Sequence, residues 1–132
     1  MIGIVIVAHG GLAHEYVSAI EHVVGAQPGI RAIAIEGIHD RAAKQDEICA
    51  AADSVDAGDG VILVTDIFGG SPSNLSLKAC QPDDRRILYG ANLPMLIKLA
   101  KSRDKALPDA VRAALDAGRK YIDSHNVPPA DA

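Results

Sequence analysis

"IVIVAHGGLA" occupies residues 4–13, and its reading sets the architecture. Residues 2–8 form a short apolar run rich in β-branched side chains, followed by His9, Gly10 and Gly11. Such a run, bounded by glycines and lacking polar alternation, reads as a strand buried on both faces. Helical spacing then takes over through Leu12, Tyr16, Val17, Ile20, Val23 and Val24, and "GAQPG" ends it. A buried strand therefore delivers an imidazole to its tip, and two glycines clear away the neighbouring side chains.

The same alternation continues along the chain. "IRAIAIEG" is a second strand, and residues 41–55 form a weaker amphipathic helix with Ile48, Ala51, Ala52 and Val55 on one face. After the turn "DAGDG", residues 60–65 ("GVILVT") are a third buried strand. Ser71 and Pro72 predict a hydroxyl at the N-cap and proline at the first helical position, with helix to about Cys80. "RRILYG" is a shorter fourth strand flanked by charge. "NLP" repeats the cap-and-proline pattern for a helix through Met95, Leu96, Leu99 and Ala100. A last helix starts at Pro108, turns Val111, Ala114 and Leu115 inward, and is expected to break at Gly118. "KYIDSHN" reads as an extended edge piece and "VPPADA", residues 127–132, as a frayed tail. Strands alternating with helices predict a three-layer α/β domain, a mostly parallel sheet wrapped by right-handed crossovers. One domain over residues 1–126 is expected, without repeat or linker.

Composition narrows the class. The 132 residues leave room for a proper core, and 48% hydrophobic with 23% charged residues is ordinary for a globular protein. Aromatics make up only 3%, so Ala, Ile, Val and Leu must fill that core. A net charge of −4 and the lack of a Lys/Arg block argue against nucleic acid; the pair Arg85–Arg86 fits a solvated strand edge. Cys49 and Cys80 lie far apart, so neither a disulfide nor a zinc site is expected, in keeping with a reducing cytoplasm. The apolar N-terminal run is too short for a signal sequence or a membrane span.

Open α/β sheets bind ligands beyond the C-terminal ends of their strands, where strand order reverses. The loops "AHGG", "EGIHD", "TDIFGGSPSN" and "GANLPM" should share that rim. If the first and third strands are neighbours, His9 and Asp66 stand side by side. A carboxylate accepting a hydrogen bond from one ring nitrogen fixes the tautomer and leaves the other lone pair free for attack. Gly10, Thr65, Gly69, Gly70 and Ser71, in glycine-rich backbone that runs into a helix start, are the candidate phosphate-binding residues. Taken singly, His9 reads as a surface histidine, Asp66 as a turn residue and "GGSP" as a plain turn; their convergence on one rim favours chemistry. His14, His22 and His125 are expected to be exposed, and His39 to sit in a solvated rim loop. Met95 reads as core. No metal and no cofactor are assigned, because no histidine pair or carboxylate cluster has ligand spacing. Phosphate-loop, dinucleotide-binding and nucleophile-elbow motifs are absent.

Together "IVIVAHGGLA", "VILVTDIFGGSPSN" and "GANLPML" resemble the enzyme IIA component of the mannose-type (mannose/fructose/sorbose) sugar phosphotransferase system, over essentially the whole chain. The resemblance implies a phosphoryl carrier that accepts phosphate from the histidine phosphocarrier HPr on Nε2 of His9 and passes it to a IIB protein. It implies that Asp66 bonds Nδ1, that Ser71 and nearby backbone groups hold the phosphate, and that strand order is 2-1-3-4. It further implies a cytoplasmic protein in peripheral association with a permease complex, without membrane insertion. A homodimer follows too, in which a C-terminal antiparallel strand crosses to the partner. "RKYIDSH", residues 119–125, matches that strand, and continued helix is the alternative. No fused IIB domain follows "VPPADA", so a separate acceptor is expected, either a IIB protein or a regulator whose binding depends on the phosphorylation of His9. "EGIHD" has histidine and isoleucine where transporters are expected to carry small and acidic residues. A dihydroxyacetone-kinase phosphotransfer subunit fits "DIFGGSP" and "NLPML" less well, and a metal chelatase would need His39 as a second ligand.

Overall fold

A computed structural model describes residues 1–67, 70–80 and 84–128. β1 (Gly3–His9) lies at the centre, paired in parallel with β2 (Ile30–Ile35) on one side and β3 (Val61–Thr65) on the other. β4 (Arg85–Leu88) joins β3 in parallel, so the order is β2-β1-β3-β4, as expected. Alternate side chains of β1 feed two cores. Ile4, Ile6 and Ala8 meet α1 (Leu12–Val24), α4 (Leu93–Ala100) and α5 (Leu107–Lys120). Val5 and Val7 meet α2 (Arg41–Val55) and α3 (Ser71–Ser76) on the opposite face. Because both sheet faces are covered, the strands read as continuous apolar runs, and each buried Ile or Val contributes about 1.5–3 kcal/mol.

Four expectations are corrected. Gly70, not Ser71, is the N-cap of α3, which places Ser71 and Pro72 in the first turn; a 3₁₀ turn, Leu77–Cys80, completes the segment. No side chain caps that helix, so the hydroxyl of Ser71 is not committed to a cap.

Arg85 is buried rather than solvated. Its guanidinium donates to Asp53 at 2.7 Å, to Asp56 at 3.2 Å and to the Ala79 carbonyl at 3.2 Å. Burial pulls its pKa down, but the two carboxylates more than offset that and hold it above the ordinary arginine value. Asp56 is held below the ordinary carboxylate value by the Gly58 amide and by Arg85.

Gly118 does not break α5. An interior glycine costs about 1 kcal/mol against alanine, yet here it lets α4 approach: a Cβ would lie 3.0 Å from Met95 Cβ. Asn92 caps α4 through the Met95 amide and donates to the Gly118 carbonyl at 2.8 Å, which satisfies an end of α5 that lacks its own partner. Finally, residues 122–128 have no regular secondary structure in the single chain, so the extended edge piece is not formed within it.

Candidate functional site

The parallel register decides what meets at the rim. Val7 pairs with Thr65, so β1 runs two residues further and brings His9 level with the loop that begins at Asp66. Gly10 then reverses direction at φ 57°, a conformation that suits glycine, and its amide donates to the Ile35 carbonyl at 3.0 Å. Gly11 starts α1 as its N-cap. A Cβ at either glycine would meet nothing within 4 Å outside its chain neighbours, so it is the backbone turn at Gly10, not packing, that favours glycine here.

Asp66 is tied by three donors. Its Oδ2 accepts from the His9 backbone amide at 3.0 Å and lies 2.9 Å from His9 Nδ1, while Oδ1 accepts from the Ile67 amide at 3.0 Å. The Asp66 side chain is 11% exposed and that of His9 50%. Burial pushes the Asp66 carboxyl up, but the hydrogen bonds from the His9 amide and imidazole, and the ring's charge, hold it below the ordinary carboxylate value. An ionised carboxylate only accepts hydrogen bonds, so the nitrogen facing it carries the proton. In the neutral ring this tautomer leaves Nε2 with its lone pair, on a side chain that is half exposed. That is the arrangement of an oriented imidazole nucleophile.

The other predicted residues are placed unevenly. A Cβ on Gly70 would lie 3.4 Å from His9 Cε1, an ordinary contact, and 3.2 Å from the Ile67 side chain, which would have to give by a few tenths of an ångström, so the start of α3 lies against the ring. Ser71 follows at the first position of α3 and is partly exposed. Thr65 is fully buried with its hydroxyl 3.5 Å from the Ile67 carbonyl, beneath the loop rather than on its surface. Gly69 lies outside the described residues. His39 turns back on its own loop, with Nδ1 3.0 Å from the Glu36 carbonyl. His14, His22 and His125 are exposed, as expected. Among the described residues no three His, Cys, Asp or Glu side chains gather as a metal site would require.

Sequence reasoning missed two features. Tyr16 was visible only as part of an apolar stripe, yet its hydroxyl donates to the Ala91 carbonyl at 3.2 Å, and the Ala91 amide donates to the Thr65 carbonyl at 3.0 Å. This chain ties α1 and the loop after β4 to the residue just before Asp66. Burial, and then the charge on Asp66, raise the Tyr16 pKa, so the hydroxyl keeps its proton. A polar tip on an apolar helical stripe was the available signal. The second feature is apolar exposure near the rim: Ile38 is 97% and Ile67 53% exposed.

Comparisons with known proteins agree with this fold. The family profile described as "PTS system fructose IIA component" matches residues 3–115. The chain is 25% identical to the PTS system mannose-specific EIIAB component of Escherichia coli (strain K12) over 98% of its own length, and spans 41% of that protein. Phosphotransferase system component EIIA from Streptococcus agalactiae superposes with a TM-score of 0.83 at 26% identity, covering 94% of this chain and 97% of that one. The PTS IIA protein associated with the fucose utilization operon of Streptococcus pneumoniae superposes at 0.76 with 28% identity, covering 86% and 88%. Among the described residues no helix is long and apolar enough to cross a membrane. With the four-stranded order, the rim histidine and a match over residues 3–115, the chain belongs to the mannose/fructose-type IIA family of the phosphotransferase system.

Proposed function

We infer that the protein is a phosphoryl carrier in which His9 Nε2 is the nucleophile and Asp66 the group that orients it. The observation that carries the reading is the single oxygen, Asp66 Oδ2, facing both the amide and Nδ1 of His9. In the forward step the Nε2 lone pair forms a bond to phosphorus as the P–N bond of a donor phosphohistidine breaks, its electron pair staying on the donor ring. Nδ1 keeps its proton, so the His9 ring gains positive charge, which the ionised Asp66 stabilises. Positioning and charge stabilisation supply most of the catalysis in such transfers. The Ser71 hydroxyl, with backbone amides of the loops containing Gly10, Gly69 and Gly70, is assigned to the phosphoryl oxygens; Thr65 supports the loop from below.

HPr is the expected donor and a IIB protein the expected acceptor, in the cytoplasm and beside a membrane permease. The family's homodimer is carried over as part of the reading; of the segment 119–125, Arg119 and Lys120 complete α5 and Tyr121 caps it, which leaves residues 122–125 to reach a partner. A regulatory output, in which phosphorylated His9 controls binding to a kinase or regulator, is favoured at one point: the loop after β2 presents Ile38 almost wholly to solvent.

The test is to incubate the protein with enzyme I, HPr and phosphoenolpyruvate and to read intact mass before and after mild acid. An acid-labile gain of one phosphoryl group, lost in His9→Ala, is expected. No gain with active donors, or a gain retained in His9→Ala, would overturn the assignment.

A further inference from the structure

Away from the His9 rim, a groove of about 670 Å³ runs between α4 and α5. Pro94 and Ile97 of α4 and Ala113 and Ala117 of α5 form its apolar lining, together with Tyr121. Lys98, Lys101 and Lys120 line it as well, with Asp116 the one acidic residue. Among the described residues none of these lysines has an ion-pair partner; Lys120 Nζ only lies over the Tyr121 ring, 5.4 Å from its centroid. The chain carries a net charge of −4, yet its α4–α5 surface adds Lys105, Arg112 and Arg119 to these cations, against Asp104, Asp109 and Asp116.

We propose that this groove is a docking site for a short acidic amphipathic helix of a partner protein. Charge selects the occupant: among the described residues the three groove lysines have no ion-pair partner, whereas the rest of this chain carries an excess of acidic residues that would repel carboxylates. The lysines are spread along α4 and across to α5 rather than converging on a point, which suits a series of carboxylates better than one compact anion. The walls are helices whose backbone groups are bonded internally, so an extended strand has no edge to pair with, and apolar anchors at i, i+3 and i+4 spacing are the fitting mode. Pro94 to Lys101 spans roughly 10 Å of helix, enough for about two turns of partner. The proposal does not depend on phosphoryl transfer at His9.

The probe is a blocked peptide of about 15 residues, with leucines on one helical face and glutamates elsewhere, alongside its lysine-for-glutamate counterpart. Each is titrated into the ¹⁵N-labelled full chain. The glutamate peptide should shift amides in residues 97–101 and 117–121, bind more weakly as salt rises, and lose about tenfold in affinity to the double variant K98E/K101E. The lysine peptide should bind that variant better than the wild type. Equal binding of both peptides, shifts elsewhere, or no shifts would overturn the proposal. So would groove shifts that appear with protein concentration alone, since a second copy of the chain would then be the occupant.

Discussion

Asp66→Asn is the most informative substitution because all three of its partners are donors or, in the case of His9 Nδ1, must be one. The amide has a single acceptor oxygen. If that oxygen takes the place of Oδ2, the NH₂ group faces the Ile67 amide, a donor against a donor 3.0 Å away. If it takes the place of Oδ1, the NH₂ faces both the His9 amide and Nδ1 at 3.0 and 2.9 Å. Nδ1 must then accept, the proton moves to Nε2, and the nucleophilic lone pair is lost. Either orientation forfeits charge-assisted hydrogen bonds worth about 1.5–3 kcal/mol each. It also removes the negative charge that stabilises the ring as it turns cationic. Loss of about 3–4 kcal/mol at the transition state corresponds to a transfer rate lower by roughly two to three orders of magnitude. Rapid-quench transfer from labelled phospho-HPr measures the rate, and ¹⁵N shifts of the unphosphorylated imidazole report the tautomer without any donor. A variant that transfers within about threefold of wild type would refute the orienting argument, and the tautomer tells which of the two amide orientations is adopted.

Two further expectations concern stability. Arg85→Met leaves Asp53 and Asp56 without their shared cation and the Ala79 carbonyl without its donor; because Asp53 is well solvated, the loss should be about 2 kcal/mol rather than the larger cost of a fully buried pair, read as a lower urea midpoint with unchanged slope. Acid should weaken the fold through Asp66 and Asp56, whose folded pKa values are lowered, chiefly against burial by the His9 bonds in one case and through the Gly58 amide in the other. Their contribution is complete above the unfolded value of about 3.9 and disappears as pH falls through the folded values; Asp66→Asn should flatten part of the slope below about pH 4, and an unchanged slope would refute the linkage.

Local pattern carried much of the fold. A run such as residues 2–8 can be buried only if both sheet faces are covered, so parallel pairing with helices on each side follows from the apolar side chains themselves. The cap Asn92 acts as "NLP" implies, accepting from the amide three residues on; Asp40, not singled out from the sequence, does the same for α2. Ser71 did not, because Gly70 takes up the extended conformation, at φ −83° and ψ 177°, and begins the helix one residue earlier. Gly118 looked like a stop from propensity alone, and the nearness of Met95, 23 positions away, reverses that reading.

By itself, then, the sequence determined the strand–helix alternation, the glycine-flanked imidazole at a strand tip and the loops that share its rim, because these rest on periodicity and on the backbone freedom of single residues. Only the tertiary structure decided that one oxygen of Asp66 serves both the His9 amide and its ring, that Tyr16 reaches Asp66 through Ala91 and Thr65, and that Arg85 is buried between two carboxylates. The same holds for the unpaired lysines that meet across α4 and α5. Each of these depends on ångström-scale distances between residues far apart in the chain, and hydrogen bonds and ion pairs are decided by such distances, to which a linear pattern of residue types is blind.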